Sequence, residues 1–249
     1  MHQLGLKKDD ASKMLNLPAD SLMKAQSVVC SGIGGNSFFG PVYNRAIIKD
    51  DAYQYAGSKN MPRVKALMGT NKAEAALFMA GDEPLQHPDS SILKSLFGDD
   101  YPMVYKTYSE ELKTFKPYDA ALNVLTQYMY QMHTYRFAKA LSNNGIPVWM
   151  YRFDYDKGRL GASHAAELQY VWNDPKIADA EKKQLATTMH NTWVAFIKTG
   201  NPNNKLLPQW PNYKNASHQV MLFNANSKVV SLQDVFNDPK FPSAVFVLK

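Results

Sequence analysis

The chain has 249 residues, 45% apolar and 20% charged, a balance that builds one large or two small globular domains and excludes intrinsic disorder. It holds no run of about 18 apolar residues, so no membrane-spanning helix is expected, and a single cysteine, Cys30, excludes an internal disulfide framework and a multi-cysteine zinc site. The net charge of +6 is scattered rather than gathered into a run or onto one face, which argues against a nucleic-acid interface.

The residues from Met1 to Asp10 lack the apolar core of a secretory signal. Together with the lone cysteine, this suits a cytoplasmic setting. The opening segment reads as helical, with a turn at Leu17-Pro18-Ala19-Asp20 and more helix from Ser21 to Ser27. A loop with Gly32, Gly34, Gly35 and Gly40 follows. It lacks both the Lys-Ser/Thr pair of a phosphate-binding loop and the spacing of a dinucleotide fingerprint, so it reads as surface loop. Val64-Lys65-Ala66-Leu67-Met68 predicts a short buried strand ended by Gly69. After Pro117, Asp119 is placed to cap a helix running to about Asn143. Leu122, Leu125, Met129 and Met132 form its apolar face, and Asn144-Gly145 supplies a left-handed stop. Ile146 to Phe153 is a second strand, rich in aromatic and β-branched residues. Asp179 opens another helix, with Leu185, Met189, Trp193 and Phe196 on one side and Gly200-Asn201-Pro202 at its end. Val220 to Phe223 and Val245 to Leu248 read as late strands.

Helix alternating with strand predicts an α/β sheet layered with helices. The strands are few for the length, which predicts a portion of a larger sheet with an open edge.

Two positions stand out chemically. His164 lies in a loop after the second strand, where α/β enzymes place a general base, although histidines are as often structural. Its i, i+3 neighbour Glu167 raises a metal-site reading, but no His-Glu-x-x-His pattern or nearby cysteine supports one. Glu74 follows the first strand, where it could orient a histidine or simply favour the first turn of a helix. The pair stands 90 residues apart, acid before base, in the order of α/β-hydrolases. A nucleophile elbow of the Gly-x-Ser-x-Gly type is absent, Ser37 failing the spacing by one position. Ser163, next to His164 in sequence, is unsuited to attack through that imidazole, and Cys30 reads as a structural thiol.

The stretch Gly161-Ala162-Ser163-His164-Ala165-Ala166-Glu167-Leu168-Gln169-Tyr170-Val171-Trp172 closely resembles the histidine segment of type B carboxylesterases. Met68-Gly69-Thr70-Asn71-Lys72-Ala73-Glu74 is similar to their acid segment. Phe39-Gly40-Pro41-Val42, Trp193 to Asn203 and Trp210-Pro211-Asn212-Tyr213 agree in the same order. Two departures are Ala75, where the family commonly has glycine, and Tyr43-Asn44-Arg45 in place of an Asp-Gly pair.

The resemblance implies a partial α/β-hydrolase fold: the carboxy-terminal portion, as one incomplete domain over residues 1–249. It implies a small-molecule carboxylic ester as substrate, Glu74 and His164 as the catalytic acid and base, and neither cofactor nor metal. The nucleophilic serine and the oxyanion loop would lie on a missing amino-terminal half, leaving this chain alone with negligible activity. Phe78, Trp172 and the helix from Asp119 to Asn143 are candidates to wall an ester pocket. A non-catalytic relative that keeps the fold as a binding protein is the alternative.

Overall fold

A computed structural model describes residues 1–31, 51–214 and 216–232. The glycine-rich loop, Ser37, the Phe39-to-Val42 match and the expected Val245-to-Leu248 strand lie outside these residues.

The chain opens with short 3₁₀ segments at His2–Leu4 and Lys8–Asn16, followed by α1 (Ala19–Val29). The turn expected at Leu17 to Asp20 is thus shorter than the sequence suggested: Pro18, which cannot continue a preceding helix, is itself the N-cap of α1. A short α2 (Ala52–Ala56) precedes β1 (Ala66–Asn71). The connection to β2 (Val148–Phe153) carries α3 (Ala76–Met79), α4 (Ser90–Phe97), α5 (Tyr101–Glu111), α6 (Pro117–Thr126), a π-helical turn at Gln127–Gln131 and α7 (Met132–Asn143). Next come α8 (Leu168–Val171), α9 (Ala180–Thr199), β3 (Gln219–Phe223) and β4 (Lys228–Ser231). Strands are ordered β1-β2-β3-β4, with β1·β2 and β2·β3 parallel and β3·β4 an antiparallel hairpin. The long helical crossovers are what parallel pairing demands. At one end of the sheet, β1 pairs only with β2 among the described residues.

Alternation along β2 divides the core into two layers, as a pleated strand must. Val148 and Met150 face a cluster with Leu125, Tyr128, Met132 and Leu141 of the long helix. Trp149, Tyr151 and Phe153 face another with Leu185, Met189 and Trp210. A strand covered on both sides reads as a continuous apolar run, which is why Ile146 to Phe153 stood out.

Gly69 does not end the first strand. β1 runs through it, in register with Tyr151. A Cβ at Gly69 would sit 2.3 Å from the Tyr151 carbonyl oxygen and 2.4 Å from its Cγ. This glycine marks a close approach of the neighbouring strand, which a strand accommodates as readily as a turn. The long helix begins at Pro117 with Lys116 as its N-cap, so Asp119 sits within the first turn; a proline at the first helical position is already pre-set for the helix. Asp179 does cap α9, accepting from the Lys182 backbone N–H at 2.9 Å. Gly145 and Gly200 adopt the expected left-handed φ of 73° and 69°. The Thr-Gly-Asn-Pro-Asn stretch also has a mechanical role. Asn203 Nδ2 donates to the Trp210 carbonyl and Asn203 Oδ1 accepts from the Trp210 N–H, fixing the fully buried Trp210.

Candidate active site

Glu74 and His164 come together from two loops at the ends of β1 and β2. Four bonds stitch the loops. Lys72 N–H donates to the Phe153 carbonyl and Ala73 N–H to the Ala162 carbonyl, each at 2.9 Å. Asn71, the last residue of β1, donates through Nδ2 to the Ser163 carbonyl and to Glu167 Oε2, both at 2.6 Å. Two acceptors on one nitrogen fix the orientation of this amide.

Glu74 is 5% exposed. Its Oε1 accepts from the Asn71 backbone N–H at 2.7 Å and its Oε2 lies 2.8 Å from His164 Nδ1. The next residue is held as well: Ala75 N–H donates to Thr126 Oγ1 at 3.1 Å, tying the acid loop to the end of α6. Both carboxylate oxygens are thereby committed, and the group cannot rotate without breaking a short buried bond.

His164 has a half-buried side chain. The residue after it, Ala165, adopts a positive φ of 62°, a strained non-glycine conformation of the kind that collects at functional sites. The Glu74 hydrogen bond raises the His164 pKa above its ordinary value, against the opposing effect of burial. Among the described residues Nε2 has no hydrogen-bond partner, and no serine or cysteine bonds to the ring. Burial pushes the Glu167 carboxyl up in pKa, with the Asn71 bond pulling the other way. Glu167 is therefore engaged with Asn71 while His164 Nδ1 is engaged with Glu74, and among the described residues no cluster of three or more His, Cys, Asp or Glu side chains suits a metal ion.

Of the aromatic residues expected near the site, Phe78 packs against His164 in a tilted arrangement, with ring centroids 5.5 Å apart. Trp172 is 74% exposed and makes no ring contact with it. Tyr130, from the π-helical turn, packs on His164 at 4.9 Å. A cavity of about 370 Å³ lined by Lys72, Thr126, Gln127, Tyr135 and Arg152 lies nearby, but neither Glu74 nor His164 lines it. Sequence reasoning missed Asn71, Thr126 and Tyr130. Asn71 lay within the acid segment and was the only one of the three with a sequence signal.

The family model described as Carboxylesterase family matches residues 3–240. The chain belongs to the carboxylesterase family. It is 24% identical to the para-nitrobenzyl esterase of Bacillus subtilis (strain 168), over 95% of this chain and 49% of that protein. Carboxylesterase 3B of Mus musculus is 35% identical over 97 residues, covering 31% of this chain and 17% of that one. A crystal structure of a Geobacillus stearothermophilus carboxylesterase superposes with a TM-score of 0.78 at 25% identity, covering 96% of this chain and 52% of that one. The chain thus spans about half the length of the para-nitrobenzyl esterase and of the Geobacillus enzyme. The sheet with its flanking helices is part of an α/β-hydrolase fold.

Proposed function

We propose that this chain supplies the acid and the base of a Ser–Glu–His relay that hydrolyses small carboxylic esters, with the serine and the oxyanion donors carried on polypeptide outside it. The observation that carries the reading is the 2.8 Å contact between buried Glu74 and Nδ1 of a half-buried histidine whose Nε2 is uncommitted among the described residues. Family membership, and relatives about twice as long, support it. Among the described residues β1 is paired on one side only, and its other side offers a row of main-chain groups on which a strand from that polypeptide can pair.

In this relay the serine Oγ attacks the ester carbonyl carbon while Nε2 of His164 takes its proton. Glu74 keeps the Nδ1 proton in place and stabilises the imidazolium as it forms. Collapse of the tetrahedral intermediate breaks the bond to the alkoxy oxygen, which leaves as alcohol with the Nε2 proton. Water then repeats the sequence on the acyl-serine, releasing the acid and regenerating the serine. His164 and Glu74 can accept and return a proton, but they provide neither an attacking oxygen nor N–H donors for the oxyanion, so the other half is indispensable.

The test is co-expression of the chain with a family amino-terminal segment bearing Gly-x-Ser-x-Gly, assayed on para-nitrophenyl esters. The expected result is turnover that falls roughly a hundredfold to ten-thousandfold in His164→Ala, the usual worth of a general base. Undiminished turnover in His164→Ala removes the base from the proposal.

A further inference from the structure

We propose that Tyr130 is a positioning residue, its ring held against the His164 imidazole by the π-helical turn at Gln127–Gln131 so that Nδ1 stays on Glu74. The inference rests on the reading of Glu74 and His164 as a working pair and adds a residue that touches neither serine nor ester.

Three observations carry it. Centroids of His164, Tyr130 and Phe78 form a near-equilateral triangle with sides of 4.9, 5.5 and 6.1 Å. A sandwich would separate the two aromatic rings by roughly 10 Å, well outside the usual range for a ring pair; the observed 6.1 Å puts both on one flank of the imidazole. They act as a backstop that blocks rotation toward that side. Second, the π turn is continuous with α6 and α7, and such turns inside helices recur at functional sites. Its two tyrosines divide the work. Tyr128 is buried against Phe97 and shares a hydrogen bond with Thr107 Oγ1, anchoring the turn in the core, while Tyr130 faces the site. Third, Thr126, immediately before the turn, takes the Ala75 N–H. One short helical stretch therefore holds the acid's loop through Thr126 and the base's ring through Tyr130.

The titratable groups that act on His164 are Glu74 and Glu167. Burial, with repulsion from Glu74, pushes the Tyr130 hydroxyl up to about 12. Its phenol therefore stays protonated at working pH, and Tyr130 contributes a neutral ring. That makes phenylalanine a fair substitute and leucine a poor one.

The test is NMR of the 249-residue chain with ¹⁵N-labelled histidine, following the low-field Nδ1–H signal of His164 and its exchange with water. Wild type and Tyr130→Phe are expected to keep a slowly exchanging signal. In Tyr130→Leu exchange should quicken by about tenfold, the size one aromatic pair supplies, while circular dichroism reports an intact fold. Tyr130→Met provides the same comparison if leucine unfolds the chain. Equal exchange in wild type and in a folded ring-free variant overturns the proposal. Glu74→Gln separates the two readings. Loss of the signal there, with no change in the ring-free variant, defeats the role of Tyr130 alone, whereas a signal that survives Glu74→Gln defeats the pair itself.

Discussion

Replacing Gly69 by alanine tests the way the sheet delivers Glu74 to His164. β1 and β2 are in direct register there, Gly69 beside Tyr151. The new methyl carbon would lie 2.3 Å from a carbonyl oxygen and 2.4–2.5 Å from two ring carbons. The Tyr151 ring can swing aside, at the cost of its edge-to-face contacts with Trp193 and Phe223 at 5.1 and 5.8 Å. The carbonyl cannot, because β2 is hydrogen-bonded on both sides. The strands must part by about 1 Å, so the cost belongs at the top of the overpacking range, about 3 kcal/mol. For a chain of this size that lowers Tm by about 6–12 °C. Thermal unfolding followed by circular dichroism reads the shift, and hydrogen exchange should quicken along β1 before it does along β3. A Gly69→Ala chain with unchanged Tm would show that the β1–β2 spacing is not what holds the acid loop in place.

Three further outcomes follow from the same geometry. Glu74→Gln should lower the His164 pKa, read by NMR titration, because the Glu74 bond is the main cause that raises it; an unchanged value contradicts the pairing. A histidine pKa raised by folding stabilises fully below the unfolded value of about 6.5, and that contribution fades as pH climbs through the folded value; the fading should disappear from denaturation curves of Glu74→Gln. His133 behaves oppositely: burial, helped by Arg136, lowers its pKa from 6.5 to about 4, so stability should fall as pH drops from about 6.5 to 4. The loss is at most about 3 kcal/mol, and urea midpoints in His133→Gln that keep the full acid slope would assign it elsewhere.

The sequence was most legible where one residue type settles a local question. Asp179 as a cap, Gly145 and Gly200 as left-handed stops, and the apolar run of β2 all depend on nearest neighbours along the chain. The Glu74–His164 pairing was legible through the resemblance of two short segments to one family. Gly69 was misread because its reason lies across the sheet, in Tyr151. Lys228 to Ser231 carries the β-branched pair Val229-Val230 but is only four residues long, and pairing with β3 is what fixes it as a strand. The helical run between Ser90 and Glu111 breaks at Gly98–Asp100, with Pro102 in the first turn of α5, and leaves pieces too brief for a clear period. The π turn left no mark: Gln-Tyr-Met-Tyr-Gln is an ordinary helical sequence, and only contacts with β-strand loops distant in sequence give Tyr130 its place.

The most direct measurement is turnover of a para-nitrophenyl ester by this chain alone and by the same chain joined with the serine-bearing segment, at equal concentration. The account predicts no triad-dependent hydrolysis from the 249 residues by themselves and its appearance on complementation. Hydrolysis by the isolated chain that vanishes in His164→Ala would contradict it, since the attacking oxygen would then have to reside within these residues.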